Sequence, residues 1–186
     1  KSNLSKAEKS AVIGVMDKEY LGMGEEVKQF EKDLSKYFGR PAVCVINGTA
    51  ALHLSLQAID IGPRDEVLVP SLSYVASFQA ISATGATPIP CDVLAETMTI
   101  DIQDASKRLT KQTKAIMPMH YAGGVGKLNE VYKFANEHGL RVIEDAAHAL
   151  GTSYQGKPIG SQGDVVCFSF DGIKNITSGE GGCIVS

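Results

Sequence analysis

Apolar positions in the first forty residues repeat with the spacing of α-helices. Residues 6–17 and 25–38 both show this pattern, separated by a glycine-rich loop. In the second segment the apolar stripe consists of Val27, Phe30, Leu34 and Tyr37. Gly39 and Pro41 then provide a stop signal for the helix. The sequence therefore predicts an N-terminal helical segment over residues 1–40.

From residue 41 onward, short apolar runs alternate with longer amphipathic segments. The runs predict strands at residues 42–46, 66–69, 87–91, 113–117 and 140–143. The segments between them predict helices at residues 50–59, 74–83, 102–109 and 127–138. Strands that are apolar throughout and alternate with helices are typical of a mainly parallel sheet with helices on both faces. The pattern predicts an α/β fold, with residues 41–186 forming one large domain.

Two more strands are predicted near the end of the sequence, at residues 164–170 and 182–186. The loop between them is short, whereas consecutive parallel strands need a long crossover connection. This spacing favours at least one antiparallel strand in the otherwise parallel sheet.

Composition and charge indicate which classes of binding partner are not expected. The chain has 186 residues with 18 basic and 21 acidic side chains, and its net charge of −3 gives no electrostatic reason to expect nucleic acid or an anionic membrane as a partner. The apolar runs are of strand length, far below the roughly 20 residues that span a bilayer. The first residues lack the layout of a secretory signal, and the four cysteines lack CxxC spacing. These features favour a cytoplasmic protein with buried thiols.

Residues suited to cofactor binding follow several predicted strands. In open α/β sheets, ligands bind outside the carboxyl ends of the strands. Gly48 and Thr49 follow the first strand, where the start of a helix favours a phosphate group; the alternative is that Thr49 only caps that helix. Tyr74 follows the second strand, and its ring could stack on a flat cofactor or pack in the core. Neither feature alone identifies a ligand.

Three further groups are predicted at the same edge of the sheet. Asp145 would lie there partly desolvated, where a carboxylate needs a cation such as a protonated ring nitrogen; the alternative is a helix N-cap. Ser169 would reach the edge as a hydroxyl donor, because strand alternation puts Phe168 and Phe170 on the other face. Lys174 has uncharged neighbours, which favours a nucleophilic amine able to form a Schiff base, although a solvated surface lysine is the alternative.

Together these groups match the requirements of pyridoxal 5'-phosphate. The chain supplies a phosphate cradle, an aromatic platform, a carboxylate for the ring nitrogen, a hydroxyl for the phosphate and a lysine amine. Two competing nucleotide-binding motifs are incomplete. Val27 stands where a dinucleotide-binding fingerprint needs glycine, and Tyr121 stands where a nucleotide triphosphate loop needs its first glycine. The four histidines are too dispersed for a zinc site. The sequence therefore predicts this cofactor and no metal.

Four segments of the sequence carry a family resemblance. They are Asn-Gly-Thr-Ala-Ala-Leu at 47–52, Glu-Asp-Ala-Ala-His at 144–148, Ser-Phe-Asp-Gly-Ile-Lys-Asn-Ile-Thr at 169–177 and Gly-Glu-Gly-Gly at 179–182. With these segments, and with matches over essentially the whole chain, the sequence resembles the DegT/StrS family of pyridoxal-phosphate-dependent, fold type I nucleotide-sugar aminotransferases.

The resemblance implies a role for each candidate residue. Lys174 would form the Schiff base with the cofactor and move protons during the reaction, and Asp145 would pair with the ring nitrogen. Tyr74 would stack on the ring, and His148 would lie near the ring hydroxyl. The residues implied to hold the phosphate are Gly48, Thr49 and Ser169. Family members that dehydrate instead of transaminating have histidine in place of the lysine, so Lys174 favours amino transfer.

The implied activity is transfer of an amino group from an amino acid, glutamate in the family, to a keto group of a nucleotide-linked deoxysugar by a homodimer. One alternative is a pyridoxal phosphate enzyme acting on another keto substrate, such as an aminocyclitol precursor. The other is a catalytically silent regulatory or assembly domain of the same fold. The sequence departs from the family in having Asp171 where many relatives have histidine, and in lacking the family's C-terminal small domain. The chain by itself is therefore expected to be inactive.

Overall fold

The predicted alternation of helices and strands is present in the fold. The structure, a computed structural model, describes residues 4–186. Its α-helices are α1 (Lys6–Asp17), α2 (Glu25–Phe38), α3 (Gly48–Ala58), α4 (Val75–Ala83), α5 (Ile102–Lys107) and α6 (Leu128–His138). Its strands are β1 (Ala42–Val45), β2 (Glu66–Pro70), β3 (Thr87–Cys91), β4 (Thr113–Ile116), β5 (Arg141–Asp145), β6 (Ser153–Tyr154), β7 (Lys157–Pro158), β8 (Val165–Ser169) and β9 (Gly182–Val185). Each predicted helix and strand is found within two residues of its predicted bounds.

A single seven-stranded sheet organises the fold, in the order β1-β9-β8-β5-β4-β2-β3. Strand β5 pairs in parallel with β4 and β8, and β2 pairs in parallel with β4 and β3. Strand β9 is antiparallel to both of its neighbours, β1 and β8. The mainly parallel sheet and its antiparallel strand are thus confirmed. Because the other six strands run in one direction, their carboxyl ends meet at one edge of the sheet.

Apolar side chains fill a core on each face of the sheet. Helices α2 and α6 cover one face and α3 and α4 the other, which gives the predicted three-layer α/β arrangement. Within β8, Phe168 lies in the first core and Cys167 in the second, as the alternation of side chains along a strand requires. Cores on both faces explain why the strands are apolar throughout instead of alternating with polar residues.

A small hairpin between β5 and β8 was not predicted. It consists of β6 and β7, two residues each, with Gln155 and Gly156 in the turn, both at positive φ. A strand of two residues is too short to show a period of hydrophobicity, so the sequence pattern contains no signal for it.

Three of the four cysteines, Cys91, Cys167 and Cys183, are buried as predicted, and Cys44 is half-buried; all four are free thiols. Burial raises the pKa of both Cys44 and Cys91 to about 11, so these groups stay protonated at neutral pH. Within residues 4–186, no cluster of ligating side chains is suited to a metal ion, and no helix has the length and apolarity to cross a bilayer.

Candidate active site

The first corner of the site lies where β1 turns into α3. Helix α3 begins at Gly48, and the side chain of Asn47 caps it by accepting the backbone N–H of Ala50 at 2.8 Å. The alternative interpretation, in which Thr49 only caps the helix, is therefore wrong, because the helix starts two residues earlier than that role requires. The first backbone N–H groups of a helix have no acceptor within the helix, so they can donate to a bound anion.

Close backbone approach brings Ser169 to this corner. A Cβ atom added to Gly48 would lie only 2.9 Å from Cβ of Ser169, so a larger residue at position 48 would push the two segments apart. Ser169 itself is 8% exposed, and its hydroxyl accepts the backbone N–H of Asp171 at 3.3 Å. The structure thus brings together the three residues predicted to hold a phosphate, although they come from opposite ends of the sequence.

Asp145 presents a buried carboxylate at the end of β5, with 3% of its surface exposed. Its Oδ1 accepts the backbone N–H of Ala147 at 3.2 Å, and its Oδ2 accepts the hydroxyl of Ser77 at 2.8 Å. The first contact resembles the N-cap that was the alternative interpretation, but the second is not part of any cap. Among residues 4–186, no lysine, arginine or histidine forms an ion pair with this carboxylate.

An unpaired carboxylate in this position needs a positive partner. A buried charge that lacks an opposite charge is strongly disfavoured, since two neutral donors replace only part of its hydration. A protonated aromatic nitrogen would supply both the charge and a hydrogen-bond donor. The chemistry of the donor set at Asp145 therefore fits the ring nitrogen of pyridoxal phosphate.

His148 and Lys174 line a cleft of about 630 Å³, formed by residues 122–123, 147–148, 150–152 and 173–175. Ala147, whose backbone N–H donates to Asp145, also lines this cleft. Burial lowers the pKa of His148, and the positive charge of Lys174 lowers it further, whereas Asp145 acts in the opposite direction. His148 thus lies near both groups. Its Nδ1 accepts the backbone N–H of Ala122 at 3.3 Å, so in the neutral ring Nε2 has the proton and is the donor.

The turn after β8 holds Lys174, which is half-buried. The backbone N–H of Lys174 donates to the carbonyl of Asp171 at 3.0 Å, and the Asp171 side chain accepts the N–H of Ile173 at 2.9 Å. This second hydrogen bond is the main reason that the pKa of Asp171 is lowered. The carboxylate of Asp171 is therefore engaged with the turn that supports Lys174.

Tyr74 is an exposed side chain, with 69% of its surface accessible to solvent. It is the residue before α4 and belongs to neither core, so the alternative of core packing is wrong. Its ring is available to a ligand or to another part of the protein.

Side chains that sequence reasoning missed surround these residues. Ser77 and Ser73 hydrogen-bond to each other at 2.6 Å, and Ser77 bonds to Asp145. Their spacing of four residues after β2 is the one signal that could have found them. On the opposite face of β5, the buried Glu144 accepts the hydroxyl of Tyr132 at 2.6 Å and contacts His120 Nε2 at 2.7 Å. This second group lies beside a separate cavity of about 200 Å³ that contains no predicted site residue.

The fold and the site together define a class of protein: an α/β enzyme domain with a lysine, a buried carboxylate and the start of a helix at one sheet edge, as in pyridoxal phosphate enzymes of fold type I. The chain belongs to the DegT/DnrJ/EryC1/StrS aminotransferase family, whose model matches residues 2–186. Aminotransferases of this family depend on pyridoxal phosphate, which confirms the cofactor predicted from the sequence.

Individual relatives agree with the family. GDP-perosamine synthase of Caulobacter vibrioides is 44% identical over 181 residues, which are 96% of this chain and 49% of that protein. The structure of DesV from S. venezuelae, solved with a ketimine intermediate, has a TM-score of 0.89 at 39% identity and matches 96% of this chain and 48% of its own.

A third relative, Spr1654 from Streptococcus pneumoniae, is described as a sugar aminotransferase and was solved in its PLP form. Its TM-score is 0.95 at 33% identity, over 98% of this chain and 51% of its own. The chain therefore spans about half the length of the relatives it matches.

Proposed function

We propose that the protein to which this chain belongs is a pyridoxal-phosphate-dependent aminotransferase. It transfers an amino group from an amino acid, with glutamate as the expected donor, to a keto group of a nucleotide-linked deoxysugar. The observation that supports this most directly is the buried carboxylate of Asp145, which has two neutral donors and no ion pair among the described residues. A silent assembly domain would not need an uncompensated charge beside a lysine-lined cleft.

Each part of the cofactor has residues that suit it. The start of α3 at Gly48 and Thr49, with the hydroxyl of Ser169, would hold the phosphate. Asp145 would bind the ring nitrogen, and the exposed ring of Tyr74 would stack on the cofactor ring. The Nε2–H of His148 is a donor that suits the ring hydroxyl. Lys174 would provide the amine for the aldehyde carbon.

When bound, pyridoxal phosphate withdraws electrons from the carbon atom that gains or loses a proton. The chain's own residues then have separate roles in the reaction. Asp145 keeps a positive charge on the ring nitrogen, and His148 donates to an oxygen acceptor. Lys174 Nζ takes a proton at one carbon atom and returns it at another, which is general acid–base catalysis by one amine. The hydrogen bonds of Asp171 hold the backbone turn that positions this amine.

The names of relatives favour a sugar substrate. The name of GDP-perosamine synthase, which is 44% identical, indicates that its product is GDP-perosamine. Spr1654 is described as a sugar aminotransferase. The alternative of a different keto substrate has support from the structure of 3-amino-5-hydroxybenzoic acid synthase, but at the lower identity of 35%. We therefore infer a nucleotide-linked sugar as amino acceptor.

The remaining proposals concern the domains, the oligomeric state and the location of the protein. We infer that residues 1–40, of which 1–3 lie outside the described residues, form a helical segment attached to a cofactor-binding domain at 41–186. Helix α1 has no buried residue, whereas α2 packs Leu34 and Phe38 into the core on one face of the sheet. We also infer a homodimer in the cytoplasm, with no nucleic acid or membrane partner. Size-exclusion chromatography with light scattering on the full-length protein would test the dimer.

Covalent trapping tests the proposed cofactor linkage. Full-length protein purified without added cofactor is expected to be yellow, and to lose its visible absorbance on borohydride reduction. Mass spectrometry of the digested protein should then find the reduced cofactor on the peptide that contains Lys174. A colourless protein that takes up no pyridoxal phosphate, or a label on another lysine, would contradict the proposal.

A screen of amino acceptors tests the proposed substrate. The full-length holoenzyme is supplied with glutamate and with nucleotide-linked 3-keto or 4-keto sugars, and 2-oxoglutarate production is measured. Turnover with a nucleotide-linked sugar, but not with a keto cyclitol, is expected. The opposite preference would support the alternative substrate class.

Replacing Ser169 with alanine should weaken cofactor retention more than it slows the chemical step. A charge-assisted hydrogen bond contributes about 1.5–3 kcal/mol, so the dissociation constant of pyridoxal phosphate should rise by roughly 10-fold or more. Fluorescence titration of the apoprotein measures this constant. Ser161→Ala is the matched control, because among residues 4–186 the Ser161 hydroxyl donates to the carbonyl of Pro158 and not to any predicted site residue. Equal affinity in Ser169→Ala and the wild type would argue against a phosphate contact.

A further inference from the structure

Two serines form a directed chain of hydrogen bonds that ends on Asp145: Ser73 in the β2–α4 connection and Ser77 in α4. Ser77 lies in the first turn of α4 with no exposed surface, and its Oγ is 2.8 Å from Oδ2 of Asp145. An ionised carboxylate can only accept, so the single hydroxyl proton of Ser77 points to Asp145. Ser77 must then accept from Ser73, whose Oγ is 2.6 Å away. The direction of both hydrogen bonds is therefore fixed.

We propose that Ser77, oriented by Ser73, is a positioning residue that keeps the Asp145 carboxylate ionised and fixed for its charged partner. This inference rests on the proposed function, because the partner is the cofactor's ring nitrogen. It extends that function by naming a residue pair that acts on the nitrogen only through Asp145.

The physical argument concerns which of two atoms holds a shared proton. A carboxylate and an aromatic nitrogen in a buried site compete for one proton, and hydrogen-bond donors to the carboxylate stabilise its charged form. Asp145 has two such donors in the structure, Ser77 and the backbone N–H of Ala147. Removing the hydroxyl leaves one donor in a site with little solvent. The carboxylate then competes better for the proton, and the ring nitrogen loses it.

The chain offers a matched control for this effect. Ser55 on α3 is as buried as Ser77, with 1% exposed, but its hydroxyl lies 3.2 Å from the Sγ of Cys167 and not on Asp145. Ser55→Ala and Ser77→Ala therefore delete the same atoms from equally buried helical positions. If the two variants differ in nitrogen chemical shift or in kcat, the difference is due to the lost contact with Asp145 and not to the general effect of removing a buried hydroxyl.

The test uses full-length holoenzyme reconstituted with pyridoxal phosphate labelled with ¹⁵N in the ring. The nitrogen chemical shift reports its protonation, and steady-state kinetics give kcat and KM. In Ser77→Ala we expect the shift to move toward the unprotonated value and kcat to fall by roughly 10-fold, with KM for the acceptor nearly unchanged. Ser73→Ala should show a smaller change of the same sign. Ser77→Thr, which keeps a hydroxyl, should restore the wild-type shift.

The outcomes separate this inference from the proposed function. A wild-type nitrogen that is already unprotonated would refute the pairing with Asp145 itself. A protonated wild-type nitrogen with no change of shift in Ser77→Ala relative to Ser55→Ala would refute the role of Ser77 alone. If Ser77→Ala does not fold, the half-buried Ser73 decides the matter: an unchanged shift and kcat in Ser73→Ala would overturn the proposal.

Discussion

Replacing Lys174 with alanine in the full-length protein is expected to lower turnover by roughly 10³-fold or more. In the proposed function, the variant loses both the amine that would attach the cofactor and the group that would move the proton. General acid–base catalysis alone contributes about 10²- to 10⁴-fold. The visible absorbance band of the attached cofactor should disappear as well. Single-turnover kinetics and absorbance spectra of the purified variant measure the two effects.

Two further variants test whether the loss of turnover is specific to the amine of Lys174. Lys174→Arg keeps a positive charge but offers no nucleophilic amine, so it should be as inactive as alanine. Lys157→Ala removes an exposed lysine that lines the separate cavity near Glu144, and it should behave as wild type. Turnover within a few-fold of wild type in Lys174→Ala would show that position 174 is an ordinary surface lysine, which was the alternative interpretation of the sequence.

Replacing Asp145 with asparagine should leave the cofactor attached but remove most of the turnover. The amide nearly preserves shape, yet it supplies no negative charge to hold a proton on the ring nitrogen. Breaking a buried charge pair costs about 3 kcal/mol or more, which corresponds to roughly 10²-fold in rate. The expected signature is therefore a retained visible band with a strongly reduced kcat.

Asp104→Asn is a suitable comparison for this variant. It makes the same chemical change on α5, where the carboxylate pairs with Arg108 and contacts neither Asp145 nor the cleft. It should have wild-type turnover. Full activity in Asp145→Asn would mean that the ring nitrogen does not depend on this carboxylate, and the main support for the proposed function would be lost.

Much of the fold could be predicted because its signals are local. The strands are buried on both faces, so their apolar runs stand out from the amphipathic helices between them. Asp145 and Lys174 could be found in the same way, since each follows a predicted strand. The β6–β7 hairpin and the cap by Asn47 depend on a few atoms each, and neither leaves a periodic pattern in the sequence.

Contacts between distant segments were the part that could not be predicted. Ser77 follows β2, whereas Asp145 ends β5, and these strands are separated in the sheet by β4. Their contact depends on strand order and on how α4 lies across the strand ends. From the sequence alone, Ser73 and Ser77 are only polar positions at the start of a helix.

The sequence by itself determined the helices and strands, the α/β class and the residue types needed for pyridoxal phosphate, because hydrophobic period and strand-end chemistry are properties of neighbouring residues. Only the tertiary structure decided which strand ends meet. Strand β9 inserts between β1 and β8 and runs antiparallel to both, so Gly182 at its start lies at the same edge as Gly48 and Ser169. A Cβ atom on Gly182 would collide with the carbonyl of Asn47, and one on Gly48 would crowd Ser169. The corner that we propose for the phosphate therefore exists because long-range strand pairing brings together segments whose close approach only glycine permits.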